Sequence, residues 1–479
     1  MRDASYRPAV AAGLVFAAAG AVLVLEILGI RLLAPYVGLT LETTTAIIGT
    51  VLAGIAAGAA LGGRAADEVD PRLLLPGLLA AGGALAIATV PLVRLLGPPL
   101  RGGGDAAALS ITLIALFPAA TVLSAVTPAV AKLQLRDLET TGSVVGRLSA
   151  WATAGALVGT FSTGFVIVPL LPTDVAVLAV GGALVALGLL LGLRGRSPLL
   201  LAAAALATAA VSLAVGAPCD VESRYHCAVV VEDGSRPGGR TLVLDDLRHS
   251  YVDLDDPRHL EFAYVRWIGD AIDGIEPAGA ALDAVFLGGG GFTLPRYLAA
   301  TRPGSRSRVL EVDEPLVELA RDRLGLRTGA ALQVRVGDAR MTLRGEPDAS
   351  ADLLVGDAFG GRSVPWHLAT IEFHTEIRRV LRPRGVYALN VIDQPPLRLV
   401  RAQAATLLDG FADVALVARP GPAGGNLVLL ASESPLPPAV ASTAHGARTL
   451  GRAEVERFAA GAEPLRDDDA PADQLRTGA

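Results

Sequence analysis

Two kinds of hydrophobic pattern divide this chain. Through roughly the first 217 residues the apolar positions run on without a polar face, near 9–35, 44–63, 73–97, 107–131, 148–171, 173–193 and 198–217. Each run is about 20 residues or more, the length a helix needs to cross about 30 Å of hydrocarbon, so the pattern predicts about seven membrane spans. Small residues dominate them, as in Ala53-Gly54-Ile55-Ala56-Ala57-Gly58-Ala59-Ala60. Small-xxx-small spacing lets backbones approach closely, so an α-helical transmembrane bundle is expected over 1–217.

Beyond residue 217 the period shortens. Cys227-Ala228-Val229-Val230-Val231 and Thr241-Leu242-Val243-Leu244-Asp245 are strand-like runs separated by Asp233-Gly234-Ser235 and Pro237-Gly238-Gly239. They predict a small antiparallel β region within 218–260. Arg248 to Pro257 is polar, aromatic and acidic without helical period, and is expected to form a lid. A helix through Glu261, Tyr264 and Trp267 should follow.

From Val285 to Asn390 four apolar runs end in glycines or acids: Val285-Phe286-Leu287-Gly288-Gly289-Gly290-Gly291, Val309-Leu310-Glu311-Val312-Asp313, Val334-Arg335-Val336-Gly337-Asp338 and Leu353-Leu354-Val355-Gly356-Asp357. Strand, glycine turn, helix, then a strand with a terminal carboxylate is the order of a doubly wound α/β nucleotide site. The glycines let backbone approach a ligand and free N–H groups at the next helix start, which makes Gly288 and Gly290 binding candidates. Glu311 is placed to accept ribose hydroxyls, Asp338 an adenine amine, and Asp357 lies where a reacting group would sit. The ordinary reading of each acid alone is a cap on the following helix. A helix from Glu372 to Leu381, a turn at Arg382-Pro383-Arg384-Gly385 and a strand from Val386 to Val391 come next. A late hairpin, Val414–Val417 with Leu427–Leu430, would close a methyltransferase-type sheet. Residues 261–435 are thus read as a nucleoside-binding, Rossmann-like α/β domain and 436–479 as a tail, its Asp467-Asp468-Asp469 stretch either solvated or folded back over the site.

Composition and charge refine this. The chain is 52% hydrophobic and 18% charged with a net charge of −6, and it has no basic cluster, which excludes nucleic acid as the main partner. The six histidines show no metal-ligand spacing, and there is no Gly-x-Ser-x-Gly elbow, so no metal is expected. Glu26 and Arg31 are ionisable residues inside the first span, functional candidates by position. Arg2 and Arg7, Arg64 and Arg72, Lys132, Arg136 and Arg147, and Arg194 and Arg196 mark alternate loops as cytoplasmic and the amino terminus as inside. Seven spans would then put the carboxyl-terminal domain outside. A Cys219–Cys227 bridge would demand the same side.

Several motifs together resemble the spermidine synthase (polyamine aminopropyltransferase) family, in its membrane-fused bacterial branch, over roughly Asp220 to Ser434. Leu244-Asp245-Asp246 is similar to the family's Leu-Asp-Gly, Glu261-Phe262-Ala263-Tyr264 to its Glu-Phe-Ser-Tyr, and Pro365-Trp366-His367-Leu368-Ala369-Thr370-Ile371-Glu372-Phe373 to its Pro-x-x-Leu-x-Thr-x-Glu-Phe. The resemblance implies decarboxylated S-adenosylmethionine as co-substrate and putrescine or a related polyamine as acceptor. It implies Asp357 as catalytic acid–base residue, Tyr264 and Asp357 at the polyamine, and His249 on the cofactor side. The family's soluble members are usually dimers or tetramers, so a homo-oligomer is a further expectation. The chain departs from the pattern at Gly291 and Gly360, where the family carries acids, and at Val265, where it carries Gln. Asp255, Asp256, Asp467 and Asp468 are candidates to resupply that charge. An integral membrane enzyme is the leading expectation. An S-adenosylmethionine-dependent methyltransferase and a non-catalytic polyamine transporter or sensor are the alternatives. The adenosyl sulfonium is made in the cytoplasm, which conflicts with the outward signs.

Overall fold

The computed structural model describes residues 6–101, 103–135, 139–192, 197–361, 364–421, 424–442 and 445–476. Arg2, Arg136, Arg194, Arg196, Arg362 and Ser363 lie outside the described residues. Two compact units result, Met1–Cys227 and Ala228–Ala479.

In the first unit α1 (Pro8–Val37), α2 (Leu41–Glu68), α3 (Pro71–Leu96), α7 (Thr141–Ser162, continued to Leu170 by the short α8, Val168–Leu170) and α9 (Thr173–Leu191) are each long and apolar enough to cross a membrane. Among the described residues that is five helices, where the hydrophobic pattern predicts about seven. The expected span at 107–131 is broken into α4 (Gly104–Ala115), α5 (Phe117–Ser124) and α6 (Val126–Gln134), with a 42° bend that makes it one broken span at most. Pro118 in the first turn of α5 supplies no backbone N–H, so the helical ladder is interrupted there. The last, α10 (Ser197–Ala214), is apolar over Leu200–Ala214.

Small residues set the packing. Gly54, Gly58 and Gly62 of α2 repeat every four residues and lie against α5 and its junction with α6. A Cβ on Gly58 would stand 2.1 Å from the Thr121 carbonyl oxygen, and one on Gly62 would stand 2.5 Å from Ala125 Cα. Leu14, Leu28, Leu79, Val90 and Leu123 fill the spaces between helices.

Polar contacts distinguish the two ends of the bundle. Lys132 pairs with Asp67, and the Gln134 side chain donates to the Tyr6 carbonyl over 2.9 Å. Roughly 35 Å along α1 at 1.5 Å per residue, Arg31 pairs with Glu222 (3.1 Å) and donates to Thr173 Oγ1 (3.2 Å) and the Arg224 carbonyl (2.9 Å). Arg94 pairs with Asp174 at 2.8 Å and donates to the Ser212 carbonyl. Arg31 is therefore held by partners, while Glu26 has no hydrogen-bond or ion-pair partner among the described residues. The stretch carrying Glu222 is closed by a disulfide between Cys219 and Cys227. A two-residue strand β1 (Val221–Glu222) lies within it.

In the second unit β2 (Cys227–Glu232), β3 (Gly239–Leu244) and β4 (Leu247–Asp253) form an antiparallel meander. The segment from Arg248, expected as a lid, is thus mostly strand through Asp253. Tyr251 and Val252 are β-formers, are buried, and pair with Thr241 and Arg240. Helix α11 (Ala263–Gly274) leads to the main sheet.

That sheet comprises β5 (Asp283–Leu287), β6 (Arg306–Glu311), β7 (Leu332–Val336), β8 (Ala351–Gly356), β9 (Leu381–Asp393), β10 (Asp413–Ala418), β11 (Gly425–Ser432) and β12 (Arg448–Leu450). Its order is β12-β10-β11-β9-β8-β5-β6-β7, with β5 to β9 parallel. The β10–β11 pair is the expected hairpin, antiparallel against β9. The predicted turn at Arg382–Gly385 is a bulge within β9: Leu381 pairs with Ala351 and Val386 with Leu353. Helices α12 (Thr293–Thr301) and α13 (Glu314–Arg323) follow β5 and β6, α14 (Ala339–Leu343) follows β7, and α15 (Ile371–Val380) precedes β9. Phe373 and Ile377 of α15 join Leu399 and Leu407 of α16 (Arg398–Gly410) and Val285, Leu354 and Leu389 of the sheet in one core. Residues beyond 436 extend this domain: β12 pairs with β10, and α17 (Arg452–Ala459) packs on α16.

Candidate active site

Strand order reverses direction between β5 and β8, and the crevice outside their carboxyl ends is where such sheets bind ligands. Both ends are in contact there. The Asp357 N–H donates to the Leu287 carbonyl at 3.0 Å, and a Cβ on Gly288 would stand 2.6 Å from the Asp357 carbonyl. Gly288 and Gly290 have φ of +90° and +49°, so the turn needs glycine for conformation as well as for space. The Gly291 N–H donates to Ser250 Oγ at 3.1 Å. A Cβ at Gly291 would stand 2.9 Å from both Ser250 Cβ and Val252 Cγ2, so β4 fills the room a side chain would take.

Glu311 ends β6 with 6% of its surface exposed. Its carboxylate accepts the N–H groups of Gly289 (2.7 Å) and Asp313 (2.9 Å), and burial pushes its pKa up against those stabilising bonds. Each oxygen retains a lone pair for a further donor. Asp338 takes the ordinary role: it caps α14 by accepting the Met341 N–H at 3.0 Å. Its second oxygen meets His367 Nε2 at 2.9 Å. Val312, Val336 and Met341 present exposed apolar surface beside these acids.

Asp357 forms the other half. Asn390 Nδ2 donates to one carboxylate oxygen at 2.8 Å and the Tyr264 hydroxyl to the other at 3.2 Å, while Asn426 Nδ2 donates to Asn390 Oδ1 at 3.1 Å. All the donors are neutral. Burial therefore prevails and pushes Asp357 up to about 6, although the two hydrogen bonds pull the other way. The same burial, with Asp357 alongside, pushes the Tyr264 hydroxyl far above its ordinary value and keeps it a donor. These residues and His249 line one cavity of about 610 Å³.

The structure thus brings Gly288, Gly290 and Glu311 together beside Asp357 and Tyr264, with His249 on the cavity wall and Asp338 at the outer end of the parallel strands. The acids proposed to resupply charge lie elsewhere. Asp256 pairs with Arg236 at 3.5 Å, and the Asp255 N–H is held by Asp253. Asp467 accepts from Arg340 (2.7 Å) and Thr370 (2.7 Å), which folds the tail over the Asp338–His367 side. Neither Asp468 nor those three lines the cavity. Sequence reasoning missed the partner roles of Asn390, Asn426 and Ser250. A polar Asn390 inside the apolar run Tyr387-Ala388-Leu389-Asn390-Val391 was the signal available.

A glycine turn, a buried strand-end carboxylate and a second carboxylate facing a cavity thus lie together in this domain. Among known proteins, a polyamine aminopropyltransferase of Streptomyces coelicolor is 32% identical over 273 residues, 52% of this chain and 49% of the relative. One from Vibrio vulnificus is 28% identical over 183 residues, 37% of this chain and 58% of the relative. The chain spans about half the length of these curated relatives. A solved structure of a probable spermidine synthase from Corynebacterium glutamicum is 30% identical, covering 51% of this chain and 94% of that one, with a TM-score of 0.47. No family model matches. On these sequence identities the chain belongs, through its carboxyl-terminal half, to the spermidine synthase family.

Proposed function

We propose that the chain is a membrane-anchored aminopropyltransferase that moves the aminopropyl group of decarboxylated S-adenosylmethionine onto an amine such as putrescine. The observation that carries this reading is Asp357. It is a buried carboxylate with only neutral donors, at the strand end next to the glycine cradle and open to a large cavity. The cradle and Glu311 suit a ribose, and Val312, Val336 and Met341 suit the face of an adenine. An ammonium cannot attack. Asp357, ionised, takes its proton, the freed nitrogen lone pair forms the bond to the aminopropyl carbon, and the C–S bond pair returns to sulfur, leaving a neutral thioether. Holding amine and sulfonium in one cavity supplies much of the remaining acceleration.

One observation favours a second reading. The crowding of Gly291 by Ser250 and Val252 leaves no place for a side chain that would hold an aminopropyl ammonium, and a methyltransferase using S-adenosylmethionine needs none. Calorimetric titration of the purified full chain with the decarboxylated and carboxylated sulfonium, each with and without putrescine, tests both. Tighter binding of the decarboxylated form, enhanced by putrescine, supports aminopropyl transfer. Preference for the carboxylated form replaces it with methyl transfer.

The membrane reading rests on the five long apolar helices. Arg7, Arg64, Arg72, Lys132 and Arg147 fall at the Tyr6 end of the bundle, while Glu222 and the disulfide fall at the Arg31 end. By the positive-inside rule the second end faces outward, the side on which a disulfide persists. An outward enzyme would need its sulfonium supplied there. Labelling of Ser235→Cys in intact cells by a membrane-impermeant maleimide tests the side, and labelling only after lysis places the domain in the cytoplasm.

A further inference from the structure

We infer that the acceptor amine carries an anionic group, a carboxylate or a phosphate, which binds at the mouth of the cavity while its nitrogen reaches Asp357. This rests on the aminopropyl-transfer reading and concerns the substrate class. The cavity wall carries three acids and three arginines. The acids are engaged from within the domain. Asp357 accepts from Asn390 and Tyr264, Asp393 from the N–H groups of Gln394 (2.8 Å) and Val400 (3.1 Å), and Glu261 stands 3.2 Å from His259 Nε2. The arginines are different. Arg248, Arg419 and Arg476 line the same cavity, and none has a carboxylate partner among the described residues. Arg248 lies 5.5 Å over the Phe262 ring, which stacks 6.3 Å from Tyr264, so its guanidinium is anchored on the aromatic wall that leads to Asp357.

Guanidinium groups that no described carboxylate balances disfavour the second ammonium of a diamine beside them. They suit an anion, because a guanidinium offers a forked pair of donors to a carboxylate or a phosphate. Asp357, held by the neutral donors Asn390 and Tyr264, suits a single amine. A carboxylate open to an amine and guanidinium groups without a described carboxylate partner, on the wall of one cavity of about 610 Å³, describe a zwitterionic acceptor.

The test follows release of the methylthioadenosine product from decarboxylated S-adenosylmethionine by the detergent-solubilised full chain. The acceptors are 4-aminobutyrate, phosphoethanolamine, vesicles of phosphatidylethanolamine, and putrescine. At least tenfold higher kcat/KM for one of the three anionic acceptors than for putrescine is expected, and the vesicle arm separates a lipid headgroup from a free metabolite. Arg419→Gln and Arg476→Gln should each raise KM for that acceptor by about tenfold with little change in kcat, the pattern of lost ground-state binding. Release with putrescine alone, or arginine variants that leave KM unmoved, overturns the inference and leaves aminopropyl transfer standing. Failure of every amine to release product overturns both.

Discussion

Arg31 and Arg94 in the bundle and Asp357 in the α/β domain treat buried charge in opposite ways. In the bundle Arg31 and Arg94 each meet a carboxylate and at least one backbone carbonyl, so their charges are matched where they stand. In the domain Asp357 meets an amide and a phenol, neither of which can balance it. Matched charge fixes one arrangement of helices. Unmatched charge is held at the expense of stability, and a carboxylate kept in that condition is ready to take a proton.

The largest test of this contrast is Asp357→Asn, which keeps the shape and removes the base. Turnover should fall by about 10³-fold, within the range general-base catalysis supplies, and a fall of less than tenfold would make Asp357 a bystander. Next is pH. Because ionised Asp357 is the active form, kcat/KM should decline about tenfold per unit below about 6 and level off above it. Tyr264→Phe removes a donor to the charged form, so the inflection should move upward; a downward move would show that the hydroxyl does not support the carboxylate.

Stability gives the smaller effects. Arg94→Ala leaves Asp174 unmatched and should cost the bundle about 3 kcal/mol in thermal unfolding of the solubilised chain. Asp357→Asn should do the reverse to the domain. The folded value near 6 lies above the ordinary 3.8, so the folded state holds the proton more tightly. Stability from that proton is present below about pH 4 and is lost as pH rises through about 6. At pH 8 the Asn variant should therefore be more stable, by on the order of 2 kcal/mol, and the gain should vanish at pH 4. Smallest is Gly13→Ala, which meets nothing within 4 Å and should shift stability by less than about 1 kcal/mol, whereas Gly58→Ala should disrupt packing against Thr121.

Sequence carried the domain further than the bundle. The four apolar runs ending in glycines or acids fall on β5 to β8 because strand ends in a parallel sheet are local features, written in consecutive residues. Asp357 and Tyr264, both named as candidates, share a hydrogen bond. The same runs do not reveal the Asn426–Asn390 relay, which needs the β9–β11 register. Nor do they reveal that Asp467 reaches Arg340 across 127 positions. In the bundle, hydropathy located the apolar segments but not their breaks, since it weighs Pro118 as one more apolar residue while the helix loses a hydrogen bond there. The lid expected at Arg248 failed for a similar reason: polarity was read as loop, although alternate residues of a half-exposed strand are polar too.

The Asp467 contact also sets an order of events in synthesis. Helix α15 begins at Thr370, whose hydroxyl accepts the Phe373 N–H and donates to Asp467, and Arg340 is clamped by the same carboxylate. A ribosome adding about 5–20 residues per second makes the glycine cradle and Asp357 well over a hundred residues before it makes the piece that fixes α14 against α15. The Asp338–His367 side of the domain can thus reach its final form only after residue 469 has emerged, so a nascent chain stalled before that point would carry a partly built site.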